Sequence, residues 1–99
     1  MKVIKFKAPD GEYTLPLIKV AENRAQYYAD KENFKAEDKE WDDEIDYVMN
    51  DNFEGIDWLI NNTDFEDWKE FSTKINNDVK VLEDSFWCDS DDFEIIELK

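Results

Sequence analysis

Apolar and lysine side chains alternate at the start of the chain, and this alternation restricts the fold more than any other pattern. In residues 2–8 (KVIKFKA) every second position from Ile4 onward is apolar and lysines lie between, which is typical of a strand with one buried face. The turn-forming segment 9–11 (PDG) follows, and the alternation resumes over 13–15 (YTL). Because a short loop containing glycine joins antiparallel strands, the sequence predicts an N-terminal β-hairpin.

Apolar residues next recur with helical spacing in three stretches of the chain. The first stretch predicts a helix over about 17–31, and the second predicts a helix over about 37–50. A third helix is expected to run through Ile60. Its start is indicated by Asp51 and by Glu54 three residues later, since this pair has the spacing of a capping box.

The C-terminal part of the chain has weaker patterns. Thr63 and Glu66 repeat the capping pattern and predict a short helical turn. Residues around 79–81 (VKV) alternate, and 93–98 is rich in strand-forming residues, so two C-terminal strands are expected to complete the sheet. The order of elements predicts a single small α+β domain over 1–99, with an N-terminal hairpin, three helices and C-terminal strands.

The inventory of reactive side chains argues against an enzyme. The chain has no histidine, so it cannot form a Ser-His-Asp or Cys-His nucleophile. Its two glycines cannot form a phosphate-binding loop, and its one cysteine, Cys88, falls short of a structural zinc site. Paired carboxylates suffice for glycoside cleavage, but no pair stands out here. We therefore expect no catalysis and no cofactor.

Two oxygen-rich segments of the sequence are candidate metal sites. Asn50, Asn52, Glu54 and Gly55 match the first positions of an EF-hand loop, but Asn61 stands where the bidentate glutamate is required. The loop 89–92 (DSDD) resembles many oxygen-rich loops that hold cations only weakly. The sequence therefore predicts no functional metal site.

The distribution of charge is strongly uneven. The 99 residues include 27 acidic and 12 basic residues, a net charge of −15. Residues 1–35 hold seven basic and five acidic residues, a net charge of +2, so residues 36–99 carry −17. A surface this acidic repels phosphate groups, which excludes direct binding to nucleic acid or to anionic membranes. Aromatic residues make up 15% of the chain, which is too much for a disordered acidic tail.

Three acidic clusters, at 42–46, 64–67 and 89–92, are candidates for binding a basic partner. Carboxylates three or four positions apart on a helix are spaced like neighbouring phosphates, so an acidic helix can occupy a site built for nucleic acid. Helical spacing also places Tyr47 on the polar side, where an exposed ring can anchor an interface. The predicted partner-binding residues are Glu40, Asp42, Asp43, Glu44, Asp46, Tyr47, Asp64, Glu66, Asp67, Asp89, Asp91 and Asp92.

Arg24 departs from the pattern of the first helix. Helical spacing places it on the apolar side, between Leu17 and Tyr28. A charge in that position needs a carboxylate partner or a path to water. We therefore expect Arg24 to form an ion pair with one of the many acidic residues.

Segments 10–17 (DGEYTLPL), 20–29 (VAENRAQYYA) and 57–62 (DWLINN) resemble small acidic proteins of tailed bacteriophages, a group without an assigned activity. The resemblance implies action in the cytoplasm of an infected bacterium. The single cysteine and the lack of a signal-peptide pattern also favour the cytoplasm. Small acidic phage proteins include inhibitors of nucleic-acid enzymes, so the resemblance favours a nucleic-acid mimic by association.

Two functions from different classes follow from these patterns. The first is a non-enzymatic inhibitor whose acidic surface occupies the basic, nucleic-acid-binding site of a partner protein. The second is a small structural or assembly module in which the acidity only confers solubility and the near-neutral hairpin and first helix make the contacts.

Overall fold

The computed structural model describes residues 1–51, 53–77, 86–88 and 90–98, and for Asp91 it describes the backbone alone. The elements of the described chain, in order, are β1 (Lys2–Ala8), β2 (Gly11–Pro16), α1 (Leu17–Glu32), α2 (Lys39–Met49), α3 (Glu54–Asn62), α4 (Phe65–Trp68), β3 (Thr73–Asn76) and β4 (Phe93–Glu97). Single-turn 3₁₀ helices at Lys69–Phe71 and Ser90–Asp92 adjoin α4 and β4. The fold class is α+β, as the sequence predicts.

The four strands form one antiparallel sheet in the order β3-β2-β1-β4. In the centre of the sheet, Phe6 of β1 lies opposite Tyr13 of β2 and opposite Phe93 of β4. Residues that face one another across strands point to the same side of a sheet. One face therefore collects the apolar side chains, and its buried residues are Ile4, Phe6, Ala8, Tyr13, Leu15 and Phe93.

The hairpin closes where the backbone of β3 comes very near. Gly11 has a φ of +154°, and a Cβ atom at this position would lie 2.5 Å from the carbonyl oxygen of Asn76. Glycine adopts such a φ readily and has no Cβ. The turn segment of the sequence thus has a second role, because it lets β3 pair with β2.

The helices cover the apolar face of the sheet and complete one hydrophobic core. The helical residues of this core are Leu17, Val20, Ala21, Val48, Ile56, Trp58, Leu59 and Trp68. They come from α1, α2, α3 and α4, in agreement with the helical spacing seen in the sequence. The predicted bounds of β1, α1 and α2 are confirmed to within two residues.

The segment after α3 differs from the prediction. The short helical turn is a separate helix, α4, and its capping box is formed by Asp64 and Asp67 instead of Thr63 and Glu66. The reason is that the Thr63 hydroxyl donates to the carbonyl of Leu59 and accepts the indole N–H of Trp68. This hydroxyl is therefore engaged at the end of α3.

The C-terminal strands are only partly predicted. β4 at Phe93–Glu97 confirms the last strand, whereas the strand expected at 79–81 lies outside the described residues. β3 at Thr73–Asn76 has no counterpart in the prediction. All four of its side chains are exposed, so its sequence lacks the alternation by which a half-buried strand is recognised.

Candidate functional site

Helix α2 presents two very different faces. Trp41, Ile45 and Val48 follow one another at helical spacing and turn inward, with Val48 fully buried and the other two half-buried. Asp43 and Asp46 lie on the opposite face and are exposed. The helix is thus attached to the molecule by one narrow apolar stripe, and its outward surface is acidic.

Arg24 on α1 fixes the position of α2. Its guanidinium forms an ion pair with Glu44, and only 13% of the Arg24 side chain is exposed. The same guanidinium lies 4.8 Å from the ring centre of Tyr28, 5.0 Å from that of Tyr47 and 6.0 Å from that of Trp58. These five residues, named here the Arg24 cluster, join α1, α2 and α3. The expected carboxylate partner of Arg24 is therefore Glu44, whose carboxylate points into this cluster.

Tyr47 is the aromatic residue of the outward surface. Half of it, 50%, is exposed, while Arg24 lies over one side of its ring. The negative charge of Glu54 and a hydrogen bond to that carboxylate raise the pKa of Tyr47 above its ordinary value, and Asp51 adds to this while Arg24 opposes it. The phenol therefore stays neutral at neutral pH and lies among carboxylates.

Four predicted carboxylates share the outward surface of α2. Glu40, Asp42, Asp43 and Asp46 are all exposed. Among the described residues none of them forms an ion pair. These four residues together with Tyr47 are named here the α2 acidic face. It extends toward Glu54, whose charge acts on Tyr47. The spacing of the sequence indicates Glu54 as a capping residue and as part of an EF-hand match, because the packing of α3 beside Tyr47 is not visible in local spacing.

The second predicted cluster lies at the start of α4. Asp64 and Asp67 are exposed but satisfy each other's backbone N–H groups in the capping box. Glu66 is exposed and lines a hollow beside Pro9 and Asp10 of the hairpin turn. In this cluster two carboxylates therefore stabilise the helix and Glu66 is turned outward.

The third predicted cluster is only partly described. Asp89 lies outside the described residues, and nothing is stated about the Asp91 side chain. Asp92 is exposed and lines a hollow on the side of the sheet away from the helices, together with Lys5 and Lys7. This carboxylate therefore has lysines nearby, in contrast to the carboxylates of the α2 acidic face.

The segment that resembles an EF-hand loop is split between structural elements. Asn50 follows the last residue of α2, while Glu54 begins α3 and Asn61 lies within it. An EF-hand loop needs twelve connecting residues between its helices, and this connection is much shorter. The described side chains contain no group of three or more histidines, cysteines or acids arranged to hold a metal ion.

Comparisons of the chain with protein-family models, curated proteins and solved structures found no match. The resemblance to phage proteins therefore stays a prediction. Among the described helices, none is both long enough and apolar enough to cross a bilayer.

Proposed function

We propose that the protein is a non-enzymatic inhibitor that uses the α2 acidic face to occupy a basic, nucleic-acid-binding site on a partner protein. The observation that carries the proposal is the set of four exposed carboxylates on one helical surface, without ion pairs to other described residues, beside a half-exposed tyrosine. Some carboxylates elsewhere have local roles, as Asp64 and Asp67 have in the capping box of α4.

The spacing of a helix supports mimicry of a phosphate backbone. Side chains three or four positions apart lie about 5–6 Å apart at their Cβ atoms. Asp42 and Asp46 have this relation, and so do Asp43 and Asp46. A basic cleft that binds such a row releases its own counterions, and long-range attraction speeds the encounter.

The Arg24 cluster supports the proposal from the edge of the α2 acidic face, where the two share Tyr47. α2 buries only a narrow stripe, so apolar packing alone gives it a weak attachment. The ion pair of Arg24 with Glu44 and the stacking of Arg24 on Tyr47 hold the helix in place before any partner arrives. A surface that is ordered in advance loses less conformational entropy on binding.

The resemblance to phage proteins adds a setting to this proposal. Within it, the protein acts in the cytoplasm of an infected bacterium, and the partner is a host enzyme or defence protein that binds nucleic acid. Of the remaining predicted residues, Asp64 and Asp67 cap α4 and Asp92 lies on the side of the sheet away from the helices, so the proposed contact is centred on α2. Glu66 is turned outward at α4, and roles for Asp89 and Asp91 stay predictions.

The test begins with capture of partners from bacterial lysate and identification by mass spectrometry. Affinity for the purified partner is then measured between about 50 and 500 mM salt, where an acidic interface weakens steeply. Replacing Asp42, Asp43 and Asp46 by asparagine should weaken binding at low salt by at least about tenfold. Duplex DNA or RNA should compete for the same site.

A matched control variant separates the effect of the charges on the α2 acidic face from the effect of the net charge of the protein. Glu32, Glu37 and Glu70 are exposed and lie outside the α2 acidic face, so their replacement by glutamine changes the net charge by the same amount. The control variant should bind nearly as well as the original protein. Equal losses in both variants, or a salt-independent affinity, would contradict the proposal.

The structural or assembly module is the second candidate. It is favoured by the outer side of α1, where Asn23, Gln26 and Tyr27 are exposed and uncharged. Replacing Asp42, Asp43 and Asp46 by lysine distinguishes the two, because a module that binds through the hairpin and α1 keeps its function after this charge reversal.

A further inference from the structure

The outer side of α1 carries a groove that the proposed function does not use. It consists of two adjoining hollows, of about 520 and 300 Å³, which share Asn23 and Gln26. Tyr27 lies on the wall of the larger hollow, and Trp41 and Phe71 lie on the walls of the smaller one. Both hollows are widely open to solvent, so together they form a shallow surface groove that suits an extended peptide better than an enclosed small molecule.

The groove offers hydrogen-bond donors that the described chain does not use. The Oδ1 atom of Asn23 accepts the indole N–H of Trp58 at 2.9 Å, so both amide hydrogens of Asn23 remain for a ligand. Neither the indole N–H of Trp41 nor the hydroxyl of Tyr27 forms a hydrogen bond with a described residue. Donor groups of Asn23, Tyr27 and Trp41 therefore line the groove.

Aromatic rings lie beside these donors. Tyr27 is 51% exposed, and its ring is supported by that of Trp58 at 5.3 Å between centres. Phe71 is 45% exposed at the other end of the groove, with the ammonium group of Lys19 6.0 Å from its ring centre. Exposed rings separated by hydrogen-bond donors form the type of groove that recognises polyproline II segments.

The charge around the groove further limits its occupant. Asn23 and Gln26 are uncharged, and Lys19 and Glu22 of opposite charge both line the smaller hollow. Asp67 is the charged residue on the wall of the larger one, so the acidic end of the groove is the end at Asp67. An anionic ligand is repelled by a protein of charge −15. The groove thus suits a neutral ligand rich in carbonyl acceptors and carrying one cationic group.

We propose that this groove binds a proline-rich segment of a partner protein, in the polyproline II conformation and with a basic residue near its prolines. Such a segment has unpaired carbonyl groups along its length and few N–H groups, and it loses little entropy because it is already extended. Its carbonyls accept hydrogen bonds from Asn23, Tyr27 and Trp41. Its proline rings pack on Tyr27, and its basic residue lies near Asp67. This site is separate from the α2 acidic face.

A synthetic oligoproline interrupted by one arginine is the probe, and a glycine–serine peptide of equal length and charge is the control. Binding to the full chain is followed by tryptophan fluorescence and by titration calorimetry at about 150 mM salt, where long-range attraction is screened. The oligoproline should bind at least about tenfold more tightly than the control peptide. Equal binding of the two peptides would overturn the proposal.

Two variants test the residues of the groove. Asn23→Asp keeps the oxygen that accepts the Trp58 indole N–H but removes the amide donors, so binding should fall at least about fivefold even though the added negative charge attracts arginine. Tyr27→Ala should weaken binding about tenfold. The Asp42, Asp43 and Asp46 asparagine variant should bind the peptide within about twofold of the original protein.

Two results of these binding experiments would overturn the proposal. Tighter binding by Asn23→Asp would show that charge alone attracts the peptide, which overturns the proposed hydrogen bonds. Binding of a neutral maltooligosaccharide that is lost in Tyr27→Ala, with no binding of the oligoproline, would assign the groove to a saccharide. The asparagine variant of the α2 acidic face is expected to bind the peptide normally. A failure of the groove proposal would therefore not contradict the proposal for the α2 acidic face.

Discussion

Two clusters of aromatic rings in the described part of the chain differ in what lies at their centre. In the Arg24 cluster the centre is a guanidinium, whereas in the other, named here the Phe6 cluster, it is a phenyl ring. The partners of Phe6 are Tyr13, Phe65, Trp87 and Phe93, with ring centres 5.5 to 5.8 Å from that of Phe6. The first cluster joins three helices, and the second joins the sheet to the C-terminal segments.

Different interactions stabilise the Phe6 cluster and the Arg24 cluster. Phe6 is only 1% exposed, so the Phe6 cluster depends on the removal of apolar surface from water and on ring packing. The Arg24 cluster is partly exposed, and it depends on an ion pair and on the attraction of a cation to aromatic faces. The Phe6 cluster therefore stabilises the centre of the fold, and the Arg24 cluster holds α2 and its acidic face against α1 and α3.

Phe6→Ala should produce the largest loss of stability. The substitution leaves a cavity between four rings, and truncation of a buried phenylalanine costs about 3–5 kcal/mol of unfolding free energy. Chemical denaturation followed by tryptophan fluorescence measures the loss. Phe6→Leu, which retains most of the volume, should cost clearly less. A loss below about 1 kcal/mol for Phe6→Ala would contradict the central role of this ring.

Arg24→Met should have the next largest effect. Removal of the guanidinium leaves the Glu44 carboxylate beside aromatic rings without its partner, which should cost about 2–4 kcal/mol in a partly buried pair. Adding Glu44→Gln to Arg24→Met should restore part of this stability, since no unpaired charge then remains. Additive losses in the double variant would show that the two side chains do not depend on each other.

Each cluster also contains a tryptophan whose indole N–H donates a hydrogen bond, so the cost of losing that hydrogen bond can be compared between the clusters. Trp87 donates to the carbonyls of Leu59 and Thr63 at 3.1 and 2.8 Å, while Trp58 donates to the exposed amide of Asn23. Trp87→Phe removes the side-chain donor of the Thr63 carbonyl, while the Leu59 carbonyl keeps the Thr63 hydroxyl, and the substitution should cost about 1–3 kcal/mol. In Trp58→Phe the loss of the hydrogen bond should lower the unfolding free energy by less, because the exposed Asn23 amide can accept a hydrogen bond from water instead. The reverse order in denaturation experiments would contradict this account.

The sequence predicts the parts of the fold that repeat a pattern. The lysine and apolar alternation of β1 identifies the hairpin, and helical spacing locates α1 and α2. β3 has four exposed residues and no such pattern. Its position depends on the close approach of Asn76 to Gly11, a contact between distant parts of the chain that no local spacing reveals.

The candidate site is predictable to a similar degree. Spacing along α2 places Asp43 and Tyr47 on the outward face, as the structure has them. The spacing also identifies Arg24 as a charge in need of a partner, but it cannot select Glu44 among 27 acidic residues. The choice depends on how α1 and α2 cross. For the same reason the sequence does not predict the α1 groove, since its walls come from α1, α2, α3, α4 and the 3₁₀ helix that ends at Phe71.

The smallest expected effect concerns the ionisation of one tyrosine in each cluster. Burial, followed by the hydrogen bond to Asp10 and its charge, raises the pKa of Tyr13. The carboxylate of Glu54 is the main cause of the raised pKa of Tyr47. Both phenols are neutral below the ordinary pKa of 10.0. The stability that each neutral phenol contributes is therefore present below that pH and lost as the pH rises through the raised value.

Salt should separate the two causes. It screens the field of an exposed carboxylate, since the Debye length falls from about 30 Å at 0.01 M to about 3 Å at 1 M, but it does not change how deeply a ring is buried. The pKa of Tyr47 should therefore move toward its ordinary value in high salt, and that of Tyr13 should move less. Tyrosinate absorbance in Tyr13→Phe and Tyr47→Phe, each subtracted from the original protein, isolates the two titrations. An equal response to salt would mean that the same electrostatic field acts in both clusters, and the distinction between an apolar and an ionic cluster would then fail.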